Sequence, residues 1–110
     1  MSLDMSSFGS AIASARKKKG LSQKDLAAKI TKEEGDAITP QYLNDIEHNR
    51  RSPSSSHLVR QFARVLDIDT TVLYAIIGML PEQDRKLVSK STPDEVGKAF
   101  VAFRRTLEKK

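Results

Sequence analysis

The sequence predicts an all-α protein. Its apolar residues recur three and four positions apart, as on one face of a helix, without the sustained alternation that a half-buried strand requires. Helix-capping residues precede several of these apolar runs, and no turn signal between alternating runs predicts a hairpin. The 110 residues suit one compact domain and leave little for a second.

The first helix is predicted to begin at Ser6 or Ser7, because a serine hydroxyl can accept a hydrogen bond from the first turn. Gly20 ends it, since glycine readily adopts the left-handed conformation that closes a helix. Arg16 and the three lysines after it fall in the last turn, where positive charge suits the helix dipole. The side chains predicted to face the core are Phe8, Ala11, Ile12 and Ala15.

The second helix is predicted from Ser22 as its cap, with Asp25 completing a weak capping box. Its inward residues are Leu26, Ala27 and Ile30. The stretch 31–36 is polar and acidic. We expect it to be either the tail of this helix, ended by Gly35, or a loop.

The third helix is predicted to begin at Thr39 and Pro40, because threonine caps well and proline fits the first helical position. Pro53 prevents the helix from continuing. Leu43 and Ile46 are predicted to face the core, with Tyr42 at its edge. The residues predicted to point outward are Gln41, Asn44, Asp45 and His48.

Four more helices follow from similar signals. A cap within Ser54–Ser56 begins the fourth, and residues 67–69 link it to a fifth, which precedes Gly78. Residues 80–82 begin a short sixth helix, and the run Thr92–Glu95 is a full capping box for the last. The predicted inward residues of helices four and five are Leu58, Phe62, Val65, Leu66, Val72, Leu73, Ile76 and Ile77.

Composition excludes several kinds of protein. The formal net charge is +5, and residues 1–30 hold six basic and two acidic side chains, which is compatible with phosphate binding but does not establish it. Cysteine is absent, so disulfides and cysteine zinc sites are excluded, and a reducing cytoplasm is the expected location. No apolar run is long enough to span a bilayer. With two separate histidines and no glycine-rich loop, we expect no enzyme, metal, cofactor or small-molecule ligand.

Several stretches in order resemble one known family. Residues 20–27 read GLSQKDLA, residues 42–47 read YLNDIE, residues 50–54 read RRSPS, and an apolar pattern follows over 58–69. Together they resemble the helix-turn-helix domain of the phage repressor and Cro family, also called the xenobiotic-response-element type. The resemblance covers roughly Phe8 to Gly78, and it implies a five-helix lambda-repressor-like DNA-binding domain.

The resemblance implies that the third helix enters the major groove of double-stranded DNA, where outward polar side chains read base edges. Gln41 can pair bidentately with adenine, and Asp45 could accept from a cytosine amino group. The resemblance also implies that Gln23 contacts a phosphate, and we expect Arg50 and Arg51 to clamp phosphates. The predicted DNA-binding residues are Gln23, Thr39, Pro40, Gln41, Tyr42, Asn44, Asp45, Asn49, Arg50 and Arg51.

Some of these residues could instead have a purely structural role. Gln41 and Asn44 could be solvated helix residues, and Tyr42 could lie at the core edge, contact the backbone, or do both. The sequence also departs from the family in two places. About six extra residues separate Ala27 from Ile38, and Asn49 stands where glycine is common, although asparagine tolerates a positive φ better than most residues.

Residues 6–78 are thus predicted to form the DNA-binding domain, and residues 79–110 a C-terminal helical extension. The last helix carries an apolar stripe that we expect to form a homodimer, the alternative being that it folds back onto helix five. The stripe consists of Val96, Phe100, Phe103 and Leu107. The expected function is a prokaryotic repressor that binds a palindromic operator as a homodimer. The alternative is a helix-turn-helix module for protein contacts, such as an antitoxin partner or an adaptor.

Overall fold

The computed structural model describes residues 3–108, and it confirms the all-α prediction. This part of the chain forms α1 (Phe8–Lys18), α2 (Gln23–Lys29), α3 (Pro40–Glu47), α4 (Ser56–Leu66), α5 (Thr70–Ile76), α6 (Glu82–Ser89) and α7 (Pro93–Glu108). The chain divides into two compact units, one ending at Met79 and the other beginning at Leu80. None of these helices is long and apolar enough to cross a membrane.

The caps predicted from the sequence begin the helices of the first unit. The Ser7 hydroxyl accepts a hydrogen bond from the Ser10 N–H at 3.0 Å. At α2, the Ser22 hydroxyl accepts from the Asp25 N–H at 3.0 Å, and the Asp25 carboxylate accepts from the Ser22 N–H at 3.3 Å. Thr39 caps α3 in the same way. Each cap satisfies N–H groups that the first turn would otherwise leave unpaired.

The core of the first unit is formed by residues from all five of its helices, α1 to α5. Phe62 is fully buried at its centre, and the ring of Phe8 packs edge-to-face against it with centroids 6.0 Å apart. Because α4 packs against both α1 and α5, its buried face is wider than the predicted stripe. Val59, Ala63, Ile38 and Tyr74 are buried although they were not predicted, whereas Val65, Val72, Ile76 and Ile77 are half buried.

The polar stretch after α2 is a loop, not a helical tail. The α2 helix ends at Lys29, and Thr31 pairs with Ala37 in an isolated antiparallel bridge. Within it the Gly35 N–H donates to the Lys32 carbonyl at 2.9 Å, and Gly35 has a φ of +104°. Of the two alternatives that the sequence left open for residues 31–36, the loop is therefore the one that forms, and the isolated bridge belongs to no strand.

Distant side chains anchor the base of this loop. The N–H and hydroxyl of Thr31 both donate to the Gln61 side-chain oxygen, at 3.2 and 3.1 Å, and the His57 Nε2 lies 2.9 Å from the Thr31 carbonyl. Glu33 and Glu34 are exposed at its tip. The residues inserted between Ala27 and Ile38 therefore form a surface loop. Its base is bonded to α4 before the chain enters α3.

The second unit contains α6 and α7. The predicted capping box begins α7, with the Thr92 N–H donating to Glu95 at 2.8 Å and the Glu95 N–H donating to the Thr92 hydroxyl at 3.1 Å. A groove in this unit has an almost entirely apolar lining. Neither helix has a buried residue, and the apolar side chains exposed here include Leu87, Phe100, Val101, Phe103 and Leu107. Residues 109–110 of the predicted extension lie outside the described residues.

Candidate nucleic-acid interface

The third helix has one face buried and one face open to solvent. Leu43 and Ile46 are fully buried where α3 packs against α1 and α2. Gln41 is exposed on the other side, and Arg50 and Arg51 are exposed just beyond the helix. A helix mounted in this way can lie in a major groove while its buried side fixes its angle.

A buried ion pair joins α1 to α3. The Arg16 guanidinium makes a two-point contact with the Glu47 carboxylate, with Nε–Oε2 at 2.6 Å and Nη2–Oε1 at 3.0 Å. Its third group, Nη1, donates to the Leu21 carbonyl at 2.9 Å. The side chains are 11% and 4% exposed. The sequence placed Arg16 only in a basic cluster at the end of the first helix, so its pairing with Glu47 was not predicted.

Gln23 extends this buried contact to α2. Its side-chain nitrogen donates to the Glu47 carboxylate at 2.9 Å and to the Asn44 side-chain oxygen at 3.1 Å. Both N–H groups of the Gln23 amide are therefore engaged within the protein. In this arrangement Gln23 holds α2 against α3, and Asn44 is half buried.

The exposed side of α3 carries a second, smaller cluster. The Gln41 side-chain nitrogen donates to Asp45 Oδ1 at 3.0 Å, and Arg50 donates to the same oxygen through Nε at 3.2 Å and Nη2 at 3.1 Å. The Asp45 side chain is 23% exposed and that of Arg50 is 55% exposed. We call Gln41, Asp45 and Arg50 the outer cluster. It places an amide and a guanidinium, the groups that read base edges and bind phosphates, side by side.

Tyr42 and Arg51 flank the outer cluster. The Arg51 guanidinium carbon lies 5.0 Å from the centre of the Tyr42 ring, which is a cation–π contact. Tyr42 is half buried, and its hydroxyl oxygen is buried without a hydrogen-bond partner among residues 3–108. The Tyr42 ring therefore packs against the exposed guanidinium of Arg51.

The family model for helix-turn-helix proteins matches residues 12–73, which is more than half of the chain. The chain belongs to the helix-turn-helix family. The match spans α2, α3, the intervening loop and the outer cluster, and it confirms the resemblance seen in the sequence. As a helix-turn-helix protein, the chain is a DNA-binding regulator.

A solved structure of a SinR protein/SinI protein complex is similar in fold to this helix-turn-helix protein. The TM-score is 0.52 and the sequences are 24% identical, with 94% of this chain and 99% of that chain covered. No curated protein sequence matches significantly. The similar structure supports the lambda-repressor-like architecture, and it says nothing by itself about a shared ligand.

Asn49 closes the recognition helix of the helix-turn-helix motif. It has a φ of 60°, its N–H donates to the Ile46 carbonyl at 3.0 Å, and the Arg50 N–H donates to the Asp45 carbonyl at 2.9 Å. These two bonds form a Schellman motif, which requires a left-handed residue at this position. The expectation that asparagine would replace glycine in the turn is confirmed.

The Asn49 side chain also ties this turn to the start of α1. Its oxygen accepts from the Gly9 N–H at 3.1 Å, and its nitrogen donates to the Ser7 hydroxyl at 3.0 Å. A Cβ on Gly9 would lie 2.6 Å from the Glu47 carbonyl oxygen, so only glycine fits there. Sequence reasoning missed Gly9, although a glycine in the first turn of a helix is a signal of close packing.

The remaining predicted residues lie at the edges of the interface. Thr39 and Pro40 are exposed at the N-terminus of α3, and the Thr39 hydroxyl accepts from the Tyr42 N–H at 3.0 Å. The structure therefore groups Gln41, Tyr42, Asp45, Arg50 and Arg51 on the open side of the motif. It places Gln23, Asn44 and Asn49 in bonds that hold the helices together.

Proposed function

We propose that this protein is a sequence-specific repressor that binds a palindromic operator in double-stranded DNA as a homodimer. The observation that carries the proposal is the outer cluster, which holds a base-reading amide beside a guanidinium on the exposed side of α3. The buried Arg16–Glu47 pair fixes this helix to the rest of the first unit. Occupying a promoter is sufficient for repression, since it requires no further contact.

Different residues perform different tasks in this proposal. Gln41 reads a base edge in the major groove. Arg50 and Arg51 contact phosphates, and the Thr39 hydroxyl can donate to another. A phosphate contact by the Gln23 side chain would require it to give up a bond to Asn44 or Glu47. Its contribution is therefore mainly to position α3.

Replacing Gln41 with alanine is expected to relax specificity at one base pair. The change should cost about 1–3 kcal/mol on the preferred duplex and little on unrelated duplexes. Arg50→Ala should instead weaken binding to all duplexes alike, because a phosphate contact carries no sequence information. The measurement is fluorescence anisotropy with a duplex selected from a random-sequence pool, set against a scrambled duplex of the same length.

The comparison of these two variants also tests whether the exposed side of α3 recognises base edges. If Gln41→Ala left the ratio of specific to non-specific affinity unchanged, α3 would not read the DNA through this residue. If the unmodified protein bound no duplex at all, the alternative function, a helix-turn-helix module for protein contacts, would replace the proposed one. The similar structure is itself a complex of two proteins, so this alternative has a specific observation behind it.

The homodimer is part of the proposal because one recognition helix reads only a few base pairs, too few to locate a site in a genome. Two copies place two helices in successive major grooves. The α7 helix offers a contact surface, since Phe100 and Phe103 pack edge-to-face with centroids 6.0 Å apart yet are 37% and 52% exposed. Val96 and Leu107 continue the same stripe at helical spacing.

The full-length protein is expected to have a molar mass in solution of about twice the 12.3 kDa of the chain. The double variant Phe103→Glu/Leu107→Glu should be a folded monomer, because both side chains are half exposed within one copy. The measurement is light scattering coupled to size exclusion, with circular dichroism to confirm helix content.

Val101→Glu provides the matched control for the dimer interface. Val101 is 42% exposed on the same helix but lies about 140° round the axis from the stripe. The Val101→Glu variant should leave the dimer intact. A monomeric full-length protein would reject the proposed dimer outright. A version ending at Ser91 that stayed dimeric would place the interface outside α7.

A further inference from the structure

The outer cluster has an unusual acceptor at its centre. Three donors, one from Gln41 and two from Arg50, converge on the single oxygen Oδ1 of Asp45, at 3.0 to 3.2 Å. Gln41 and Asp45 are one helical turn apart on α3, and Arg50 is placed by the Schellman turn that follows. The two groups most able to contact DNA are therefore both held by one carboxylate.

A carboxylate beside DNA is repelled by phosphates, so its presence here requires an explanation. Asp45 is only 23% exposed, and it contributes no donor to a phosphate. The explanation lies in its bond to Gln41. Because Asp45 accepts from the Gln41 amide, it changes which base that amide can recognise.

A glutamine amide has two N–H donors and one carbonyl acceptor. Adenine presents one acceptor and one donor in the major groove, so a glutamine needs one N–H and its carbonyl to read it. Guanine presents two acceptors, so a glutamine needs both N–H groups. The amide of Gln41 gives one N–H to Asp45, which leaves the pair that adenine requires and removes the pair that guanine requires.

We propose that Asp45 is a positioning residue that restricts Gln41 to adenine and excludes guanine at that base pair. The inference rests on the proposed function, since it assumes that α3 reads duplex DNA. Asp45 acts through Gln41 and not by touching a base. The same oxygen also accepts from Nε and Nη2 of Arg50.

The test compares binding to two duplexes that differ at one base pair. The parent duplex is selected from a random-sequence pool by the full-length protein, and the base pair read by Gln41 is the one whose preference is lost in Gln41→Ala. The second duplex carries guanine in place of adenine at that position. The ratio of the two affinities is measured for the unmodified protein and for Asp45→Ala, with urea denaturation to confirm that each variant folds.

Asp45→Ala is expected to lower the preference for adenine over guanine by roughly fivefold or more, since it frees the second N–H of Gln41. Preferences at other positions should not change. In a Gln41→Ala background the same substitution should have no further effect on this ratio. The control Asp36→Ala removes an equal charge from the exposed loop and should keep the ratio.

Several outcomes would overturn the inference. An unchanged ratio in Asp45→Ala would do so while leaving the proposed function intact. An effect of Asp45→Ala that persisted without Gln41 would show that Asp45 does not act through Gln41. A parent duplex without adenine at the Gln41 position would also contradict it. If the unmodified protein preferred no duplex over any other, the proposed function would fail and the inference with it.

Discussion

Replacing Glu47 with alanine is expected to lower the free energy of unfolding by about 3–5 kcal/mol. The Arg16 side chain is only 11% exposed, and the substitution removes the carboxylate that compensates its charge. It also removes an acceptor from Gln23, so the contacts among α1, α2 and α3 are lost together. The measurement is urea denaturation followed by circular dichroism.

Two further variants distinguish the cost of leaving Arg16 buried without a partner from the net contribution of the ion pair to stability. The double variant Arg16→Met/Glu47→Leu should recover most of the stability, because apolar replacement of a buried pair is often neutral. Asp94→Ala removes a carboxylate from the exposed Asp94–Lys98 pair on α7, with both side chains 78% exposed. It should cost less than about 1 kcal/mol. A loss of similar size in Glu47→Ala would contradict the structural role of the buried pair.

Raising the salt concentration from 50 to 200 mM is expected to weaken binding to operator DNA by about a thousandfold or more. A dimer that neutralises roughly 6–10 phosphates releases a similar number of counterions, which gives this dependence. Arg50, Arg51 and the lysines at 17–19 are exposed in each copy and supply sufficient positive charge. Arg16 is excluded from this count, because its side chain is only 11% exposed and is held against Glu47 inside the protein.

The slope of affinity against salt is measured by titrating one labelled duplex at several concentrations. Arg51→Ala should reduce the slope by about two for a dimer, one for each lost phosphate contact. Lys98→Ala removes an equal charge from α7 and provides the control, since that residue lies outside the matched helix-turn-helix region. A flat salt response would exclude a phosphate-dominated interface.

The sequence by itself determined the helices and where they begin. Ser22 and Asp25 are three residues apart, and so are Thr92 and Glu95, so each capping box is complete within a single turn. Such local bonds depend on residue type and spacing alone. The sequence also predicted the outward position of Gln41 and the left-handed Asn49, since both follow from local geometry.

Where local preferences are balanced, the sequence left alternatives open. Residues 31–36 could continue α2 or leave it, and the residue pattern of that stretch does not decide between the two. The choice is made by Gln61 and His57 on α4, which hold Thr31 from 30 and 26 residues away. A polar segment without an apolar stripe has no core to join, so its path depends on such anchors.

Only the tertiary structure decided how the reading helix is held. Arg16 and Glu47 are 31 residues apart, and Gly9 and Asn49 are 40 apart, so neither contact has a signature in any short stretch of sequence. The side chains of Gln23, Asn44 and Asn49 are likewise engaged in bonds between helices. They therefore position α3 and do not point into solvent as unpaired donors. The physical reason is that a buried polar group must find a partner, and which partner is within reach is set by the packing of whole helices.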